Sequence, residues 1–168
     1  MEPVYVDATI NDRLVRINKN DSMEVLIWRE YRNKPDDWFK RKISLYIDKI
    51  TGYKKYKVNI GNKNYVLSRV IYKAHNNDWD ITDSSRSNLI DHININSLDN
   101  RIENLRILTH QQNQFNTNAK GYYWHKKKNN WIAKIRVNSK EIYLGSFTEE
   151  KDARQAYLEA KKIYHIIA

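Results

Sequence analysis

The chain has 168 residues, with 30 Lys and Arg against 20 Asp and Glu, a net charge of +10 and no cysteine. Such a charge calls for a polyanionic partner, and the lack of thiols excludes disulfides and a thiolate zinc site. No apolar run is long enough to cross a bilayer, and the opening MEPVYVDATINDR does not have the form of a signal peptide, so a cytoplasmic protein without a membrane partner is expected. Five Trp and twelve Tyr in so polar a chain suggest small sheets, each faced by a few large aromatics.

Residues 1–50 read as a basic arm of strands. VLIWREY (25–31) and ISLYID (43–48) have the β-branched and aromatic content of strands. Residues 33–37, with Pro35, form a turn, and Trp38-Phe39 is expected to dock the arm on the next segment of the chain. No chemistry is legible here, so the arm is read as a scaffold or DNA-contacting segment. From Tyr53 to Ile60 the chain alternates, Tyr56, Val58 and Ile60 against Lys55, Lys57 and Asn59. Gly61-Asn62 makes a hairpin turn, and residues 64–67 return. Ser68 is expected to cap a helix with apolar positions Val70, Ile71 and Ala74, which His75 ends and caps. Residues 77–88 are a polar connection anchored by Trp79 and Ile81.

The stretch LIDHININSLDNRIENLRILTHQQNQFN (89–116) is the centre of the chain. An acid and a histidine, Asp91-His92, come directly after strand-like Leu89-Ile90. Asn104 lies twelve residues after His92, and Asn113 nine residues after Asn104. The middle is Asn- and Asp-rich and reads as loop. Thr109 is a plausible N-cap for a short helix to Asn116. Strand, loop and helix could bring the acid, the imidazole and two carboxamides to one phosphate. Charge agrees with that layout. Residues 1–90 hold 17 cations against 12 acids, 91–118 hold 2 against 3, and 119–168 hold 11 against 5. The least basic segment is thus flanked by basic ones, which suits a centre that keeps a cation between phosphate-gripping arms.

Residues 117–120 read as a linker. Strands are expected at 122–126, 131–137 and 141–144, the last ending at Gly145. A helix capped by Thr148 should come next, with Glu149 and Glu150 in its first turn, where the dipole favours acids. Its apolar face would be Ala153, Ala156, Tyr157, Ala160 and Tyr164. On the middle strand Lys134 and Arg136 lie opposite Trp131, Ala133, Ile135 and Val137. His165 is read as inert.

The Asp91-His92 pair, Asp99-Asn100-Arg101, the run Ile102–Arg106 and the closing Gln112–Asn116 together resemble the HNH nuclease motif, in the variant with Asn at both later positions. They look like phage and intron-encoded homing endonucleases. The resemblance implies His92 as general base, an imidazole being able to accept a proton near neutral pH. It implies Asn104 as the residue that orients His92, and Asp91 and Asn113 as ligands of one divalent ion per site. Hard oxygen donors favour Mg²⁺ or Mn²⁺. Arg106 could clamp a phosphate or form a structural ion pair. His110, one turn before Asn113, could touch substrate or merely decorate the surface.

Gly121-Tyr122, Trp131–Arg136, Tyr143–Phe147 and the alanine-rich helix resemble the APETALA-two/ethylene-response-factor DNA-binding domain. The resemblance implies that Tyr123, His125, Lys134, Arg136 and Tyr143 face DNA, and Lys126 is expected to contact DNA with them. Glu141 and Tyr123 depart from the family, where arginines are common, so no base preference carries over; a small sheet touching phosphates alone is the other reading.

An α+β protein is therefore expected, with a ββα-metal nuclease core (51–118) between an N-terminal arm (1–50) and an APETALA-type domain (119–168). The expected function is a site-preferring, metal-dependent endonuclease on double-stranded DNA, monomeric or homodimeric, working in the cytoplasm of a cell hosting a phage or mobile element. The alternative is a catalytically inactive HNH-fold regulator that only binds DNA.

Overall fold

A computed structural model describes residues 2–167. The chain forms two compact units, Met1–Ile107 and Leu108–Ala168. The fold is mixed: four small sheets and three α-helices among the described residues.

The first unit opens with an antiparallel meander, β1 (Tyr5–Ile10), β2 (Arg13–Asn18), β3 (Asp21–Arg29) and β4 (Asp37–Lys40), paired in that order. The β1–β2 turn is Asn11-Asp12, both at positive φ (52° and 56°). Asn and Asp tolerate that region better than other side chains, and it is what a two-residue hairpin of matching twist requires. Alternate residues Ala8, Ile10, Val15, Ile17, Val25 and Ile27 are buried. Residues 1–50 thus hold more strands than expected, and Trp38-Phe39 has a different job. Trp38 packs edge-on against Trp28 within the meander, under the Arg16 guanidinium, and Phe39 is 43% exposed.

The second sheet is β5 (Ile43–Ile47), β6 (Lys54–Ile60) and β7 (Lys63–Val66). Its Gly61-Asn62 turn lies where the alternation ends, as expected. Helix α1 spans Leu67–His75. Ser68 does not cap it: Val66 holds that position without a side-chain bond, and Ser68 is buried in the first turn. Val70, Ile71 and Ala74 of α1 join the buried residues of both sheets in one core. His75 bonds back to the Ile71 carbonyl at 3.0 Å. The connection 77–88 is organised by Arg69, whose guanidinium donates to the carbonyls of Ile81, Asp83 and Asn88. Burial lowers the Arg69 pKa. Ile81 is buried and Trp79 packs on the core, as expected of anchors. Strands β8 (Leu89–His92) and β9 (Leu105–Leu108) form the last sheet, with a 3-10 turn at Ile102–Asn104 between them.

The second unit holds helix α2 (His110–Phe115), strands β10 (Tyr122–His125), β11 (Asn130–Val137) and β12 (Lys140–Phe147), and helix α3 (Glu150–Tyr164). Thr109 caps α2 in a full capping box with Gln112. The three strands form an antiparallel sheet in chain order. Strand β12 runs past Gly145, where the expected strand stopped. Ile135, Tyr157 and Ala160 form the buried centre between sheet and α3, with Tyr122, Val137, Ile142 and Leu144 around them. Two helix details differ from expectation. Glu149, not Thr148, is the N-cap, with no side-chain bond, and Tyr164 is 41% exposed rather than on the packed face. His165 is structural rather than idle: its ring stacks on Phe115 at 4.0 Å, and Nε2 lies 3.1 Å from the Arg136 carbonyl.

Candidate active site

Asp91 and His92 end β8, and the loop to β9 is built from carboxamides. Asn94 and Asn96 side chains each accept from a backbone N–H two residues on, the local bonding that competes with regular structure. Ile95 is held at φ 64°, an uncommon conformation for a β-branched residue and a mark of a loop fixed by its surroundings. Asp99 and Arg101 form a two-bond ion pair, 2.8 Å in each leg. Hydrogen bonding to Arg101 holds the Asp99 carboxyl well below the ordinary carboxylate range and raises Arg101.

Asn104 closes this loop. Its side chain is buried and makes three bonds: Oδ1 accepts from the Asn94 N–H at 3.0 Å, and Nδ2 donates to Asn94 Oδ1 at 3.0 Å and to the Asp99 carbonyl at 2.7 Å. The Ile93 N–H also donates to the Asn104 carbonyl at 2.9 Å. All of these contacts reach the loop.

Asn100 touches His92 directly. Its Oδ1 lies 3.1 Å from His92 Nε2, its Nδ2 donates to the Leu98 carbonyl, and it is 2% exposed. An amide oxygen only accepts, so this bond puts the imidazole proton on Nε2 and the lone pair on Nδ1. Spacing did not single out Asn100; the signal was its place beside Asp99 and Arg101 in the motif. Asp91 is 6% exposed, and its Oδ2 accepts from Arg106 Nε at 2.8 Å. Arg106 thus pairs across β8 and β9 with the acid expected to hold metal.

Asn113 and His110 lie on α2, in the second unit. Among the described residues no cluster of three His, Cys, Asp or Glu is present; the expected donor set, Asp91 and Asn113, consists of one carboxylate and one carboxamide.

On the C-terminal sheet, Lys134 pairs with Tyr143 and Arg136 with Glu141 in cross-strand register. Tyr123 is 45% and Tyr143 57% exposed. Glu141 carries ion pairs to both Lys134 and Arg136, each 3.3 Å. Hydrogen bonding to Lys134 lowers the Glu141 pKa, and the same bond raises Lys134. His125 Nδ1 accepts from the Lys128 N–H in the β10–β11 turn, where Lys126 is exposed.

No helix is long and apolar enough to cross a membrane among the described residues. No curated protein and no solved structure matches the chain. Residues 65–115, from the end of β7 to the end of α2, match the family model of the HNH endonucleases.

Proposed function

We propose that the protein is a divalent-metal-dependent endonuclease that hydrolyses phosphodiester bonds in double-stranded DNA, of the site-preferring homing type, acting in the cytoplasm of a cell that hosts a phage or mobile element. The observation that carries the reading is the family match over residues 65–115 around an Asp91-His92 pair whose imidazole is held by buried Asn100. His92 takes the proton from the attacking water at Nδ1 while Nε2–H stays bonded to Asn100. Asn104 keeps the loop that carries Asn100 in shape.

The donor chemistry fits a hard cation. Asp91 offers a carboxylate with two oxygens, and Asn113 an amide oxygen; Mg²⁺ or Mn²⁺ accepts such ligands and keeps waters besides. A carboxylate has about four lone-pair sites, so the Arg106 bond to Oδ2 is compatible with a cation on the same group. When bound, the ion supplies Lewis-acid stabilisation of the charge that develops on the phosphate and leaving oxygen. The exposed C-terminal sheet, with Tyr123, His125, Lys126, Lys134, Arg136 and Tyr143, binds DNA and supplies the site preference. One catalytic centre per chain makes a monomer a nicking enzyme and a homodimer a double-strand cutter.

The test is conversion of supercoiled plasmid to nicked and linear forms with Mg²⁺, with EDTA and His92→Ala as parallel arms. Cleavage that needs the ion and is lost in His92→Ala is expected. Tight duplex binding with no cleavage under any divalent ion would replace this reading by that of a DNA-binding regulator.

A further inference from the structure

We infer that the open face of the β5–β6 hairpin is a second contact surface for the phosphate backbone of duplex DNA, separate from the C-terminal sheet. The inference rests on the reading of the chain as a DNA enzyme and names a contact that neither the HNH motif nor the APETALA resemblance contains.

Cross-strand register puts Tyr46 beside Lys55 and Ser44 beside Lys57, which places these four side chains on one side of the hairpin. Ile43 and Val58, also partners, lie on the other side, where they reach the core. Lys57 Nζ lies 3.9 Å from the Tyr46 ring centre, and Lys55 Nζ lies 5.3 Å from Tyr46 and 6.0 Å from Tyr53. Tyr46 is 39% and Tyr53 51% exposed. An aromatic face orients an ammonium group without cancelling its charge, so these lysines are held in place and remain cationic towards solvent.

The neighbourhood is strongly one-signed. Residues 40–57 contain seven Lys and Arg against one acid, Asp48. That carboxylate is occupied by its own turn, accepting from the Ile50 and Thr51 N–H groups and the Thr51 hydroxyl. These bonds, with a smaller contribution from Lys55, hold its pKa below the ordinary carboxylate range. None of the ion pairs among the described residues uses Lys42, Lys49, Lys54, Lys55 or Lys57. Folding alone gives no reason to crowd cations on a sheet face, since like charges repel there. A polyanion supplies the reason, and it gains entropy from released counterions.

Position supplies the identity of the polyanion. The Ser97 hydroxyl donates to the Lys54 carbonyl at 2.6 Å. This bond ties the start of β6 to the loop that carries Asn100, the partner of His92. A duplex presented to His92 therefore has this face beside it, and its backbone is the anion within reach.

The test is fluorescence anisotropy of a labelled duplex of arbitrary sequence binding the full-length chain in EDTA, with KCl varied. Lys55→Gln/Lys57→Gln is compared with Lys19→Gln/Lys151→Gln, two exposed lysines elsewhere. The slope of log affinity on log salt should fall by about 2 in the first variant, alike for all duplex sequences, and by clearly less in the control. In the wild-type chain, which needs no mutant to fold, duplex should protect Lys55 and Lys57 from lysine acetylation. Equal slopes in both double variants, or no protection, overturn the inference. So does protection that rises with protein concentration in the absence of DNA, which would mean a second copy covers the face. The arms also separate this inference from the nuclease reading. Duplex binding with an unchanged slope removes only the surface, whereas plasmid cleavage that survives His92→Ala removes only the proposed active site.

Discussion

Asn100 presents His92 with an acceptor and nothing else, because its amide nitrogen is committed to the Leu98 carbonyl. That bond favours the tautomer with the proton on Nε2 and the lone pair on Nδ1. Asn100→Ala should let the ring adopt the other tautomer and rotate, lowering kcat by ~100-fold with little change in KM, the scale of a misplaced general base. Asn100→Asp still accepts from Nε2, so it should recover part of that loss. Nitrogen chemical shifts of His92 in the metal-free chain would show the tautomer mixture directly, a signature that a merely structural loop residue would not move. Matching kcat and shifts in Asn100→Ala and the wild type would reduce Asn100 to a loop staple.

Arg106 acts on the other half of the pair. Removing it as Arg106→Ala takes a 2.8 Å charge-assisted bond from a carboxylate that is 6% exposed, at a cost of about 1–3 kcal/mol. Where Asp91 holds the cation, Mg²⁺ should restore part of this stability by binding the folded chain. The Mg²⁺-dependent rise in thermal midpoint should accordingly be larger in Arg106→Ala than in wild type. An equal rise in both would count against Asp91 as a ligand.

At the scale of elements, Gly121 shows how tightly the second unit is packed. It sits at φ 68°, and a Cβ there would lie 2.0 Å from the Tyr157 ring. Gly121→Ala combines a left-handed conformation with an overlap against a buried ring, for roughly 2–4 kcal/mol together. Its melting temperature should drop accordingly. An unchanged melting curve would mean that Tyr157 can leave its place on the sheet. Elements with a clear period were legible in the sequence: the Tyr53–Ile60 alternation with its Gly61-Asn62 turn, the Trp131–Val137 strand, the face of α3. The first hairpin was not, although Val6, Ala8 and Ile10 do alternate. Its turn is Asn-Asp without a glycine, and the buried face includes a small alanine, so neither signal stood out. Caps failed where a hydroxyl stood near a helix start without bonding, at Ser68 and Thr148; the capping box at Thr109 and Gln112 was readable because both halves are present. In the candidate site, the motif and its spacing single out Asp91, His92, Asn104 and Asn113 as candidates. Asn100 and the Arg106–Asp91 pair were not legible as contacts, because loop bonds and cross-strand partners have no fixed interval in sequence.

For the molecule as a whole, a net charge of +10 raises affinity for any duplex, specific or not. The site preference proposed above needs the non-specific share held down, since non-target sequence is in large excess. Glu141 is placed to do this. It stands on the open face of the C-terminal sheet, with Lys134 and Arg136 each 3.3 Å away, and draws charge from two of the residues expected to meet DNA. Glu141→Gln keeps the shape of the side chain and releases both cations. Affinity for arbitrary duplex should rise, and the slope of log affinity on log salt should steepen by about 1–2. Affinity for the preferred sequence should rise less, because base contacts do not gain from freed charge. Cleavage of mixed-sequence DNA by Glu141→Gln should then spread from one partly degenerate site to many. A variant that binds more tightly yet cuts at the same positions as wild type would show that the C-terminal sheet grips phosphates only, and that site preference is set elsewhere in the chain.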